Sequence, residues 1–300
     1  MNMRYLPLLK HYVKSSTNLM NNIRWRMRCS VSDASPVFVL GAPRSGTTLM
    51  QRMLSVHPEL FSTDSESGLF SYRDIFARKY FSLSWDETHR MFRQSSDVVN
   101  FMDNCTDFIR RAHGLPQTTR MVEKTPQHVI RLNFLVRHFP NARFVHMVRD
   151  CRDCYCSAVN HPNIQQARSL STFTRYWVRC VRSGLAFDDH PHVCRVSYEQ
   201  LTTSPRTVLA EIMESLKLPV HDVQFDPSAI SNDRRSQRNE FSRLAEPISP
   251  TSVQRWKREL SERELECVQR IAGELLSRLG YTDDSNDAGE LSRAKVGNAA

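Results

Sequence analysis

The sequence predicts an α/β fold: a P-loop-like parallel sheet flanked by helices on both faces, in a single domain with a helical insertion. Three observations predict it. Strand-like and helix-like segments alternate through most of the 300 residues, the pattern of parallel strands joined by crossover helices. A glycine-bounded turn, Gly41-Ala-Pro-Arg-Ser-Gly46, joins the apolar run VFVL to an amphipathic stretch that stops at Pro58. Charged or polar side chains also recur just beyond the strand candidates, where open α/β sheets bind their ligands.

The elements follow in order. Residues 1–35 form a basic, partly amphipathic leader with no uninterrupted apolar core, so neither a secretory signal nor a membrane span is predicted there. VFVL (37–40) is the first strand, and a helix follows over about 46–56. Residues 68–113 carry aromatic-rich, polar-faced helical patterns with Phe70, Phe76, Tyr80, Phe81, Trp85 and Phe92, and form the insertion. RMV (120–122) is a short strand, and Val129, Ile130, Phe134 and Leu135 repeat at helical spacing within 127–139. RFVHMV (143–148) is a strand, followed by one helix and then a second over about 170–187. HVCRVS (192–197) is the next strand and 205–217 the next helix. Residues 231–254 are polar and arginine-rich and read as a long functional loop. Residues 255–281 form a final helix pair or one long helix, closing a domain of residues 36–282 ahead of a disordered tail, 283–300.

Composition narrows the function classes. With 40% hydrophobic and 24% charged residues, the chain is an ordinary globular protein able to bury a sizeable core. Forty-one Lys and Arg against 32 Asp and Glu leave a net charge of +9, which suits an anionic ligand. No nucleic-acid partner is expected. Eight cysteines are too few for a disulfide scaffold. Cys151, Cys154 and Cys156 crowd one segment, but that segment reads as a helix start with no second ligand pair, so no metal is expected. A cytoplasmic location is the expectation, with peripheral membrane attachment through the leader as the alternative.

The turn at 41–48 carries the first chemistry. Its G-x4-G spacing, followed by Thr47 and Thr48, is nearly that of a phosphate-binding loop. Glycines let the backbone approach an anion closely, and amide N–H groups at a helix N-terminus point at it. The lysine expected after the second glycine is replaced by Thr47, and Arg44 supplies positive charge from inside the loop. An ordinary ATP or GTP site is disfavoured, because that lysine reaches the β- and γ-phosphates. Arg44 follows the first strand, Glu123 and Lys124 follow RMV, Arg149 follows RFVHMV, and Tyr198 follows HVCRVS. Their recurrence at strand ends places them in one site.

These residues together resemble the sulfotransferase family. GAPRSGTTLMQRMLSVHP resembles its 5′-phosphosulfate loop, and FVHMVRDCRDCYCSAV its 3′-phosphate segment, with Arg149 and Ser157 eight residues apart. EKTPQH (123–128) is similar to the family's lysine motif, VSYEQLTTSP to its adenine-side tyrosine segment, and RWKREL…LLSRLGY to its C-terminal end. The resemblance runs over roughly 36–281, in the expected order, and is nearest the bacterial and tyrosylprotein group.

The resemblance implies 3′-phosphoadenosine 5′-phosphosulfate as co-substrate, without a metal. It implies in-line sulfonate transfer to a hydroxyl, less readily an amine. Arg44, Thr47 and Thr48, with the amides of Ser45 and Gly46, take the 5′-phosphate and sulfonate. Lys124 neutralises the leaving oxygen, Arg149 and Ser157 hold the 3′-phosphate, and Tyr198 lies near adenine. Arg44, Lys124 and Glu66 form the catalytic set, with Glu66 as base and Asp64 and His128 as rivals. The acceptor stays open among glycan, peptide, lipid and small molecule. Arg73, Arg78, Lys79, Arg234, Arg235 and Arg238 hint at an acidic one. A kinase-like phosphotransferase and an inactive anion-binding relative are the alternatives.

Overall fold

The computed structural model describes residues 16–63, 65–71, 74–161, 163–231 and 245–281, with the backbone alone at 16–19. Five strands form one sheet: β1 Val37–Gly41, β2 Leu60–Ser62, β3 Arg120–Lys124, β4 Arg143–Val148 and β5 Val193–Ser197. Their order is β2-β3-β1-β4-β5, and every neighbouring pair is parallel. Val39 pairs with Lys124, Gly41 with Met147, and Val148 with Ser197. The carboxyl ends of β3, β1, β4 and β5 therefore line one edge.

Helices cover both faces because alternate residues of a strand point to opposite sides. Phe38 and Leu40 join a core with Phe144 and with residues of α4 Val98–Ala112, α5 Leu132–His138, α7 Leu170–Leu185 and α12 Glu262–Arg278. Val37 and Val39 join the other core, with Met50, Met53 and Leu54 of α2 Thr47–Ser55 and Leu209, Ile212 and Met213 of α9 Pro205–Leu216. The remaining helices are α1 Ser16–Met27, α3 Trp85–Gln94, α6 Cys151–Ala158, α8 Tyr198–Thr203, α10 Pro227–Ile230 and α11 Trp256–Glu259. In α1, Trp25 is buried against Phe76 and Phe92, with ring centroids 4.8 and 5.6 Å away. Asn22 accepts the Ile75 amide hydrogen at 2.8 Å, so this part of the leader is docked on the domain.

Several expectations change. β3 extends through Glu123 and Lys124, so both lie within the strand and not after it. β2, three residues long, was not foreseen. The insertion holds two helices, α3 and α4, and the described residues of its first part, 68–71 and 74–84, form no helix or strand. There Phe70, Tyr80 and Phe81 are buried without helical backbone. The predicted helix over 127–139 is a 3-10 turn, Pro126–Arg131, running into α5. Asp64, Arg73, Arg234, Arg235, Arg238 and the tail 283–300 lie outside the described residues.

Candidate active site

The β1–α2 turn is shaped to approach an anion. Gly46 precedes α2 with φ 93°, and a Cβ there would collide with the Tyr198 ring. Arg44 also adopts a left-handed φ, 66°, which costs a non-glycine residue free energy. Ser45 is buried and donates its hydroxyl to the Ala42 carbonyl at 2.8 Å, so its side chain braces the loop. Thr47 and Thr48 open α2, whose free amides carry the partial positive charge of the helix end.

Arg149 stands one residue beyond β4 and is 4% exposed. Its Nη1 donates to the Arg44 carbonyl at 3.2 Å and its Nη2 to the Ser252 carbonyl at 2.7 Å. Its guanidinium lies 4.2 Å from the centre of the Tyr198 ring. Its Nε is buried with no protein acceptor. The Trp177 indole donates to the Arg149 carbonyl at 3.0 Å and fixes the backbone there. Ser157, on α6, accepts from Arg44 Nε at 2.9 Å. The loop arginine and the α6 serine, expected on opposite phosphates, therefore meet directly.

On β3, Lys124 is 1% exposed and its Nζ lies 2.6 Å from Glu66 Oε1. Glu66 is 39% exposed. Next to this pair, the buried Glu123 carboxylate accepts from Ser67 Oγ at 2.6 Å and Thr125 Oγ1 at 2.7 Å, and faces His128 Nδ1 at 3.1 Å. Burial alone would raise the Glu123 carboxyl. The His128 ring and the two hydroxyls outweigh it and hold the group below the ordinary carboxylate range. His128 Nε2 accepts the Phe70 amide at 3.3 Å. His128, a rival base, is thus fully buried with both ring nitrogens engaged.

A cavity of about 1050 Å³ opens at this edge, walled by Arg44, Glu66, Arg149, Ser157, Tyr198 and Arg255 among others. Residues beyond 245 close one side of it. The Asp153 carboxylate accepts the amides of Gln254 at 2.8 Å and Trp256 at 3.1 Å. Burial pushes that carboxyl up against the opposing pull of Arg149. The Arg152 guanidinium stacks 3.7 Å from the Trp256 ring and donates to the Tyr281 carbonyl. Asp153 and Ser252 were missed by sequence reasoning. Asp153 follows Arg149 by four residues, within the quoted 3′-phosphate segment, and that spacing was the available signal; Ser252 meets Arg149 through its backbone carbonyl, which left none. Cys151 and Cys154 are fully buried, and burial raises both thiols far above their usual range. Among the described residues no group of three His, Cys, Asp or Glu is placed to hold a metal ion.

Comparison with known proteins gives a consistent result. The sequence profile of the sulfotransferase family matches residues 36–222. Protein-tyrosine sulfotransferase A of Caenorhabditis elegans is 26% identical over 268 residues, covering 83% of this chain and 68% of that protein. Protein-tyrosine sulfotransferase 1 of Homo sapiens is 25% identical over 273 residues, covering 85% and 71%. Among solved structures, the sulfotransferase domain of the Synechococcus PCC 7002 olefin synthase superposes with a TM-score of 0.57 at 18% identity, over 83% of this chain and 98% of that one. Mouse sulfotransferase SULT7A1 complexed with PAP superposes at 0.55 and 14% identity, over 90% and 93%. A parallel sheet with an anion-binding turn is common to many nucleotide-binding folds. The profile match over most of the domain, with the strand-end residues in order, is not: this chain belongs to the sulfotransferase family.

Proposed function

We propose that the cavity takes 3′-phosphoadenosine 5′-phosphosulfate as sulfonate donor and a hydroxyl as acceptor, a tyrosine side chain in a polypeptide being the first acceptor class to test. Family membership makes the chain a sulfonate-transferring enzyme. The tyrosine reading draws on the names of its relatives. One observation carries the donor reading: the α2 N-terminus, Arg44, Arg149 and Glu66 share a single cavity. The residues present fit such a donor. Arg149 keeps a buried Nε–H without an acceptor, which a phosphate oxygen suits. Gly46, without a Cβ, lets the Tyr198 ring pack directly against the start of α2.

When bound, the donor supplies an activated sulfonate whose departure leaves negative charge on a phosphate oxygen. Lys124, out of water at 1% exposure, presents a fixed cation to that charge, and Arg44 with the α2 amides adds to it. The more exposed Glu66 carboxylate accepts the acceptor hydroxyl proton at an Oε atom. Arg149, with Ser157 nearby, orients the 3′-phosphate, and Tyr198 offers a ring face to the base. Titration calorimetry tests the donor: tight binding of 3′-phosphoadenosine 5′-phosphate and weak binding of ATP–Mg²⁺ are expected, and the reverse order overturns the reading in favour of a kinase. Incubation with radiolabelled donor and a panel of tyrosine peptides, glycans, lipids and phenols then tests the acceptor. Label entering glycan or lipid alone rejects tyrosine.

A further inference from the structure

The structure assigns a positioning role to Glu123, Thr125 and His128: together they fix the register of the segment that presents Glu66 to the reaction. The inference rests on the reading of Glu66 as base. Glu66 and Ser67 are adjacent in the chain, and so are Lys124 and Glu123 on β3. Glu66 meets Lys124 while Ser67 meets Glu123, so two consecutive residues of the segment are matched against two consecutive residues of the strand. Successive strand side chains point to opposite faces. A slip of one residue in one direction would set Ser67 against the buried ammonium, and in the other it would set a second carboxylate, Glu66, against Glu123.

The backbone beyond Ser67 is held the same way. The amide of Gly68 donates to Thr125 Oγ1 at 3.0 Å, that of Leu69 to Ser67 Oγ at 3.3 Å, and that of Phe70 to His128 Nε2 at 3.3 Å. The same three side chains, Thr125, Ser67 and His128 (through Nδ1), are also bonded to the Glu123 carboxylate, at 2.7, 2.6 and 3.1 Å. Residues 66–70 belong to no helix or strand. Their backbone donors would be costly to bury unpaired, and side chains of 67, 125 and 128 take the place of a regular ladder. With Nε2 accepting from Phe70, the His128 N–H lies on Nδ1 and donates a hydrogen bond to the Glu123 carboxylate. Glu123 thus organises three acceptors at once, and Glu66 leaves this anchored stretch at its first residue.

The test compares His128→Leu, His128→Gln and Thr125→Val in the full chain. Gln places an amide oxygen near the Nε2 position and keeps an acceptor for Phe70; Leu and Val remove their acceptors with little change in bulk. Amide hydrogen exchange at Gly68 and Phe70, turnover with radiolabelled donor, and calorimetric affinity for 3′-phosphoadenosine 5′-phosphate are read on each. In His128→Leu and Thr125→Val, protection at these amides should fall and kcat should drop by up to about a hundredfold, the effect of misplacing a reacting group by about 1 Å. Nucleotide affinity should stay within twofold or so of the parent, because the Arg149 side is untouched. His128→Gln should restore most of both losses. Unchanged protection at Gly68 and Phe70 overturns the positioning role whatever the activity does. Loss of protection with unchanged kcat leaves the anchor standing but refutes Glu66 as base, which an active Glu66→Gln would report independently. Inactive His128→Gln with intact protection would make His128 itself the base.

Discussion

The His146 side chain gives the most quantitative prediction. It lies on β4, fully buried, and neither ring nitrogen has a hydrogen-bond partner. Gly184 of α7 packs so closely on the imidazole that a Cβ there would overlap it. Burial, with the nearby Arg195 cation, drives its pKa from 6.5 down to about 3. The folded state therefore keeps the ring neutral at a pH where the unfolded chain binds a proton. Between pH 6.5 and about 3 the unfolded state holds more protons, so this group makes stability fall as pH falls. Each unit is worth about 1.4 kcal/mol, and acidification from pH 7.5 to 5 should remove about 2 kcal/mol through His146 alone. His146→Leu removes the titration and keeps an apolar side chain of similar bulk. Urea denaturation of both proteins at the two pH values gives the answer as a difference of differences, in which the other titrating groups cancel. The variant should lose about 2 kcal/mol less than the parent on acidification. Equal losses would refute the argument.

Three further outcomes follow from the site. Glu66→Gln should lower kcat by about 10²–10⁴, the range for a general base, while affinity for 3′-phosphoadenosine 5′-phosphate measured by calorimetry stays near that of the parent. Gly46→Ala should weaken nucleotide binding at least tenfold or so in the same titration, because the new methyl meets the Tyr198 ring and φ is 93°. Asp153→Ala should release the Gln254 and Trp256 amides. Limited proteolysis should then cut between 245 and 256 faster, and nucleotide affinity should fall.

The strand-end residues were legible because short, largely apolar runs marked where β1, β4 and β5 stop, and Arg44, Arg149 and Tyr198 stand just beyond them. Lys124 was found by its neighbours in EKTPQH, although it ends β3 from within. β2 escaped notice because Leu60–Ser62 is too short to show a period and owes its place to pairing with β3. The stretch 68–84 misled for a different reason. Its aromatic spacing resembles a helix, but its rings are packed by tertiary contacts, and several of its amides are satisfied by side chains distant in sequence. The burial of His128 was hidden on the same account: nothing in PQHV announces that Glu123 and Phe70 will claim both ring nitrogens.

The attachment of residues 249–256 to Arg149 and Asp153 bears on how the enzyme comes into being during synthesis. The anion-binding turn leaves the ribosome before β4, and Arg149 follows it by about a hundred residues. The wall that grips the Arg149 guanidinium through Ser252, and the Tyr281 carbonyl that holds Arg152, are made more than a hundred residues later. A nascent chain can thus fold most of its sheet while its nucleotide site is still open on one side, and full donor affinity arises only once residues 252–281 have emerged.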